Sequence, residues 1–208
     1  MENTQDIWTM ETTLEGNKLR LEPIALKHLD SLARHVLFPK NFIDDFGGCV
    51  TRQDVEKEIQ HCLQARTNKQ ENGFAIIDKT SGEAVGYSNY MFINRRDYTI
   101  EIGRTRIGVE YQKSYVNTET KLLMLQHAFE VLKAQRVAFK VDAFNFNSQR
   151  AVRRLGAKYE GEIRNYRRLP DGRMRDYQWF SIIESEWPNV KKTLHGYMEK
   201  YNVSSATL

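Results

Sequence analysis

Apolar positions along this chain change their spacing several times, and each change marks an element. Lys18–Pro23 alternates charged and apolar residues, the period-two pattern of a half-buried strand. Ile24–Leu37 instead carries Leu26, Leu29, Leu32, Ala33, Val36 and Leu37 at helical spacing. Asn41–Val50 breaks the pattern with Gly47 and Gly48 and reads as a loop. Thr51 is placed to cap a second helix, Arg52–Ala65, whose inner face is Val55, Ile59, Cys62 and Leu63. Three strands follow, Gly73–Asp78, Ala84–Ile93 and Tyr98–Val109, joined by short polar turns into an antiparallel meander. Asn117–Lys133 is the clearest helix, striped by Leu122, Leu125, Ala128, Phe129 and Leu132. Arg136–Val141 is a short strand, and Asn147–Leu155 a short helix stopped by Gly156. Lys158–Leu169 and Met174–Ile183 are two last strands around the turn Pro170-Asp171-Gly172, and Trp187–Tyr201 a last amphipathic helix.

This order predicts an α/β fold: one domain over residues 16–201, with a central sheet of about seven strands, mostly antiparallel, and helices on both faces. The fourth and fifth strands, Tyr98–Val109 and Arg136–Val141, flank a crossover helix and are expected to run parallel. Residues 1–15 are polar at the start and are expected to be disordered, as is the end of the chain, Ala206–Leu208. The last helix, with Trp187, Leu194, Tyr197 and Met198, is expected either to cover the sheet or to pair with a second copy as a homodimer.

Composition changes this picture little. The 208 residues are 40% hydrophobic and 28% charged, an ordinary globular mix. No apolar run approaches the roughly 18–20 residues that span a bilayer, and the start lacks the pattern of a signal peptide, so a cytoplasmic protein without a membrane partner is expected. Two cysteines, Cys49 and Cys62, are too few for a disulfide framework or a tetrahedral zinc site, and the five histidines show no metal spacing. No metal is therefore expected. The net charge of +4 suits an anionic ligand but is too small and too dispersed to argue for nucleic acid.

Two stretches carry candidate chemistry. Val109–Thr118 feeds the N-terminus of the clearest helix, where unpaired N–H groups and the helix dipole suit an anion, with Lys113 and Lys121 alongside. Asn145-Phe146-Asn147-Ser148, followed by Leu155-Gly156-Ala157, opens the next helix. Together with Glu101-Ile102-Gly103, Glu160-Gly161 and Leu169-Pro170-Asp171-Gly172-Arg173, the arrangement resembles the GCN5-related N-acetyltransferase (GNAT) superfamily, in particular the group of the ribosomal-protein alanine acetyltransferases, from about Gly16 to Ile183.

The resemblance implies that the fourth and fifth strands splay and that the pantetheine arm of acetyl-CoA pairs with the fourth near Ile107, Gly108 and Val109. The pyrophosphate would rest on the loop Gln112, Lys113, Ser114, Tyr115, Val116, Asn117 and Thr118, with Asn145 bonding the arm from the other side and Arg153 near a phosphate. Two departures stand out. Tyr115 and Asn117 occupy positions where the family carries glycines, and Val152 stands where many relatives place a tyrosine general acid.

Acetyl transfer to an amine needs a base for the ammonium proton, a donor for the oxyanion and an acid for the thiolate. Glu101 is the candidate base, against a plain salt bridge or solvated strand charge. Ser148 is the candidate acid, against helix capping, for which it competes with Asn147; Tyr90 and Tyr166 are alternative phenols. The oxyanion donor is expected to be a backbone N–H near Ile107 or Gly108. The expected function is acetyl transfer from acetyl-CoA to a primary amine, on a protein N-terminus or a small molecule, with acceptor choice lying in Leu37–Val50 and Leu169–Arg173. The alternative is a non-catalytic acyl-CoA-binding or interaction module on the same fold.

Overall fold

The computed structural model describes residues 6–39, 48–169 and 171–205, with side chains as far as 201. Residues 1–5, most of the loop read over Asn41–Val50, Pro170 and the last three residues lie outside that description.

Eight strands form one sheet: β1 (Leu14–Glu15), β2 (Leu19–Pro23), β3 (Asn72–Asp78), β4 (Ala84–Asn94), β5 (Thr99–Ile107), β6 (Arg136–Asp142), β7 (Lys158–Arg168) and β8 (Met174–Ile183), in the order β1-β2-β3-β4-β5-β6-β8-β7. All neighbours pair antiparallel except β5 and β6. On one face lie α1 (Leu29–His35) and α2 (Arg52–Thr67), sealing a core of Leu32, Val55, Ile59 and Ile77. On the other, α3 (Tyr115–Gln126) contributes Val116, Met124 and Leu125, α4 (Phe146–Arg154) contributes Val152, and α5 (Trp187–Ser205) contributes Leu194 and Met198.

Local rules explain most boundaries. Thr51 Oγ1 accepts from Asp54 N–H at 3.2 Å while the Asp54 carboxylate accepts from Thr51 N–H at 2.9 Å, a capping box that starts α2. The helix expected over Asn117–Lys133 begins two residues earlier, because Ser114 caps it by accepting from Val116 N–H. Its end widens into a π-turn over His127–Val131, closed by Leu132 N–H donating to His127 O. The helix expected over Ile24–Leu37 divides into a 3-10 turn, Leu26–His28, and α1.

Two expectations change. The sheet has eight strands because Leu14–Glu15 pairs with Arg20–Leu21. Residues 6–15, expected to be disordered from their polarity, are held against the domain: Trp8 is buried and stacks edge-on against Tyr98, and Asp6 accepts from Arg95. One buried aromatic ring and one partly buried ion pair outweigh the polar average. The final helix has its apolar face covered within the chain, with Trp187 stacked on Phe129 at 5.4 Å.

Candidate active site

The decisive feature lies between β5 and β6. Their parallel pairing runs Thr99 with Arg136, Ile100 with Val137 and Glu101 with Ala138, and stops there. Residues 102–107 of β5 continue without a partner on that side, as β6 turns to pair with β8 alone. The gap is a cleft of about 440 Å³, walled by β5 from Glu101 to Arg106 and by β6 from Phe139 to Asp142, with α3 and α4 contributing Asn117, Lys121, Asn145, Ser148 and Val152.

Two bulges shape the wall beside Glu101. Tyr87 and Asn89 of β4 face Arg106 and Gly103, so one residue of β4 opposes two of β5, and Arg104 takes a left-handed φ of 50°. Met91 and Asn94 face Glu101 and Thr99, so β4 holds the extra residue there, and Phe92 takes φ 48°. Bulges re-aim side chains and break pairing beside binding sites. Gly103 fits the crowding between them: a Cβ there would sit 2.8 Å from Met91 Sδ and 3.3 Å from Glu101 Oε1.

Glu101 stands where the two strands part. It is buried, and removal from water pushes its carboxyl pKa above the ordinary value; the Lys140 ammonium opposes that shift and Glu71 adds to it. Lys140 Nζ is 3.9 Å from Glu101 Oε1. On the α3 side, Lys121 is buried, its Nζ donating to Thr105 Oγ1 at 2.5 Å and Ser88 Oγ at 3.2 Å. No carboxylate pairs with it among the described residues, and burial pushes its pKa down to about 7. At the far end of β6, Asp142 and Arg175 form a buried pair at 3.3 Å, and Asp142 also accepts from Phe144 N–H. That anchor sets the turn leading to Asn145.

The cap of α4 goes to Asn145, whose Oδ1 accepts from Ser148 N–H at 3.0 Å. Neither Asn147 nor Ser148 takes it, so the Ser148 hydroxyl faces the cleft with no protein partner among the described residues. Val152 lines the same wall. Of the alternative phenols, Tyr166 lines the cleft, whereas Tyr90 is fully buried and donates to Met124 O. His127 stacks on Tyr90, and burial pushes its pKa down to about 4.

Several expected residues sit elsewhere. Ile107, Gly108 and Val109 lie past the cleft wall, and Gly108 N–H donates to Val85 O, so it is not free to meet an oxyanion. The exposed part of β5 is displaced toward its start, residues 102–106. In the loop, Gln112 Nε2 donates to Ile107 O, Lys113 is exposed with φ 57°, and Val116 and Thr118 are buried. Tyr115 swings away from the cleft and donates to Asp78 Oδ1 at 2.9 Å. Asn117 alone of this segment lines the cleft. Arg153 lies over the Phe180 and Tyr159 rings, at 4.8 and 5.3 Å, instead of entering it. Lys140 was not legible from the sequence as a site residue, because its alternation within Arg136–Val141 is that of any strand lysine.

Comparison with known proteins agrees with this architecture. Residues 18–158 match the model of the acetyltransferase (GNAT) domain. The chain belongs to the GNAT acetyltransferase family. It is 25% identical over 178 residues to the N-acetyltransferase p20 of Bacillus licheniformis, itself uncharacterised, covering 84% of this chain and 98% of that one. A crystal structure of a GCN5-related N-acetyltransferase from Brucella melitensis superposes with a TM-score of 0.82 at 31% identity, over 90% of this chain and 85% of that one. Mycobacterium smegmatis RimJ, solved in complex with CoA-disulfide, shares the fold at a TM-score of 0.78 and 16% identity, over 91% and 96% of the two chains. Among the described residues no helix is long and apolar enough to cross a membrane, and no group of side chains is arranged to hold a metal ion.

Proposed function

We propose that this GNAT enzyme moves an acetyl group from acetyl-CoA directly to a primary amine, on a protein N-terminus or a small molecule. The observation that carries the reading is the buried Glu101 carboxylate at the point where β5 and β6 stop pairing. An extended pantetheine arm would add to the open edge of β5 as a strand does, along residues 102–106. Asn117 and Asn145 offer amides from opposite walls, and Lys121 offers a buried positive charge on the side where the anionic part of the donor would lie. The donor set fits an acyl-CoA.

Acceptor amines arrive as ammonium ions and have no lone pair. Glu101, its pKa raised above the ordinary carboxyl value by burial, accepts that proton. Ser148, with its hydroxyl unclaimed, is the donor placed to meet the leaving sulfur. Val152 supplies no proton, which leaves this role to Ser148 or to Tyr166 across the cleft. The cleft is lined by Arg104, Arg106, Lys121, Lys140 and Arg167 against Glu101 and Asp142, an excess that suits an anionic donor and disfavours a polycationic acceptor such as a polyamine.

The test is thermal unfolding with acetyl-CoA, followed by an acceptor screen of peptides with free N-termini and small amines. Saturation at 100 times the dissociation constant adds about 2.7 kcal/mol. The expected shift is smaller in Asn145→Ala and retained in Glu101→Gln. Absence of any shift in well-folded protein would overturn the reading, and binding without turnover on any amine would leave an acyl-CoA-binding module.

A further inference from the structure

Lys140 has an environment that the proposed chemistry does not require. Its Nζ faces the Phe92 ring at 4.5 Å, Tyr166 at 5.1 Å and Trp179 at 6.0 Å, from β4, β7 and β8. Three rings around one ammonium make a cation site of the kind proteins use to receive amines. Phe92 reaches it only through the strained bulge in β4, and such strain gathers where a site needs it. The fourth side of the box is Glu101, 3.9 Å away. Lys140 therefore stands where an acceptor ammonium would stand, held by rings beside the carboxylate assigned to deprotonate it. Both side chains keep some solvent contact in the cleft, at 16% and 10% of full exposure.

We propose that Lys140 is a self-acetylation site, the chain's own amine taking the acceptor position when no external acceptor fills it. This rests on the proposed acetyl-CoA reaction at Glu101. In the step, the Lys140 ammonium gives one proton to the Glu101 carboxylate, and the neutral Nζ attacks the thioester carbonyl. The N–C bond forms, the C–S bond breaks, and the second proton lost from nitrogen goes to the leaving thiolate. The products are an amide on Lys140, coenzyme A thiol, and one proton released to water from Glu101. Acetylation removes the charge that faces Glu101 and fills the box, so the modified enzyme has a blocked acceptor site.

The test incubates the full chain with acetyl-CoA alone and maps acetyl-lysines by mass spectrometry after cleavage that does not depend on lysine. Expected is one acetyl group at Lys140, formed faster than at the exposed Lys27 and Lys158, with a rate constant independent of protein concentration. Glu101→Gln should slow it roughly a hundredfold or more, the contribution of a general base. In Lys140→Arg the single-site product should vanish while acetyl-CoA still raises the melting temperature. Acetyl-CoA that stabilises the protein yet leaves Lys140 unmodified overturns the self-acetylation and spares the transferase reading. Equal labelling of Lys140 and surface lysines, unchanged in Glu101→Gln, means plain chemical acetylation and also overturns it. No stabilisation and no labelling overturns both.

Discussion

Two buried charges face the same cleft from opposite walls, and their surroundings differ. Glu101 has the Lys140 ammonium 3.9 Å away, so its loss of water is partly compensated. Among the described residues, Lys121 has the hydroxyls of Thr105 and Ser88 and no carboxylate. Burial disfavours the charged form of each, raising the carboxyl pKa and lowering the ammonium to about 7. The Asp142–Arg175 pair, equally buried, is the structural counterpart in which both charges are matched. The matched pair anchors the turn leading to Asn145, the half-matched carboxylate keeps a raised pKa, and among the described residues the lysine meets hydroxyls and no carboxylate. Incompletely paired charges are what the proposed reaction needs, an anionic donor to bind and an amine to deprotonate.

The comparison can be broken most severely at Glu101. Glu101→Gln keeps the shape and removes the proposed base, and kcat/KM on any acceptor found should fall by about 10²–10⁴. A variant as active as the parent would make Glu101 a structural charge. Next in size, Arg175→Ala strands Asp142 in the interior and should lower unfolding free energy by about 3–5 kcal/mol in a urea titration, since breaking a buried pair leaves one charge uncompensated.

Lys121→Met should act in the other direction. The depressed ammonium pKa means the unfolded chain binds one more proton between about pH 7 and 10, so the parent gains stability as pH rises through that range. Below pH 7 the full cost of a buried ammonium is present. Lys121→Met should therefore be more stable than the parent by roughly 1–3 kcal/mol at pH 7, less than the whole desolvation cost because Thr105 and Ser88 lose a donor, and the gap should close by pH 10. Glu101 gives the opposite slope: stability falls as pH rises from the ordinary carboxyl value to the raised folded value, and the loss is complete above it. The smallest effect is expected at Lys140. Lys140→Met removes the charge that lowers the Glu101 pKa, leaving burial and Glu71 to raise it further, so the acidic limb of the rate profile should move to higher pH. An unmoved limb would mean that another group limits the rate on the acid side.

The fold was legible because periodicity reports burial directly. The strand at Tyr98–Val109 and the helix at Asn117–Lys133 showed their buried residues in the spacing of apolar positions, the β7–β8 hairpin was marked by its turn residues although β7 is exposed along its length, and the parallel pair followed from the crossover between the fourth and fifth strands. Misjudged boundaries came from side-chain caps, as at Ser114, which starts α3 two residues early. The ordered residues 6–15 were missed because their anchors, Trp8 on Tyr98 and Asp6 on Arg95, join residues far apart in sequence. In the site, Glu101, Asn117, Asn145 and Ser148 were legible by position and converge on the cleft. Tyr115, Gly108 and Arg153 were named for that cleft and face Asp78, Val85 and the Phe180 ring instead, directions that no spacing encodes.

The sequence by itself determined the elements, the single sheet, the family and most residues near the splay, because each depends on local periodicity or on residues close along the chain. Tertiary structure alone decided how those residues are paired. Two bulges turn Phe92 and Arg104 out of register, Asp142 finds Arg175 across 33 positions, and Lys140 meets Glu101 and three rings from three other strands. The pKa of a buried group is set by which charges surround it in space, and those neighbours are assembled only when the sheet closes.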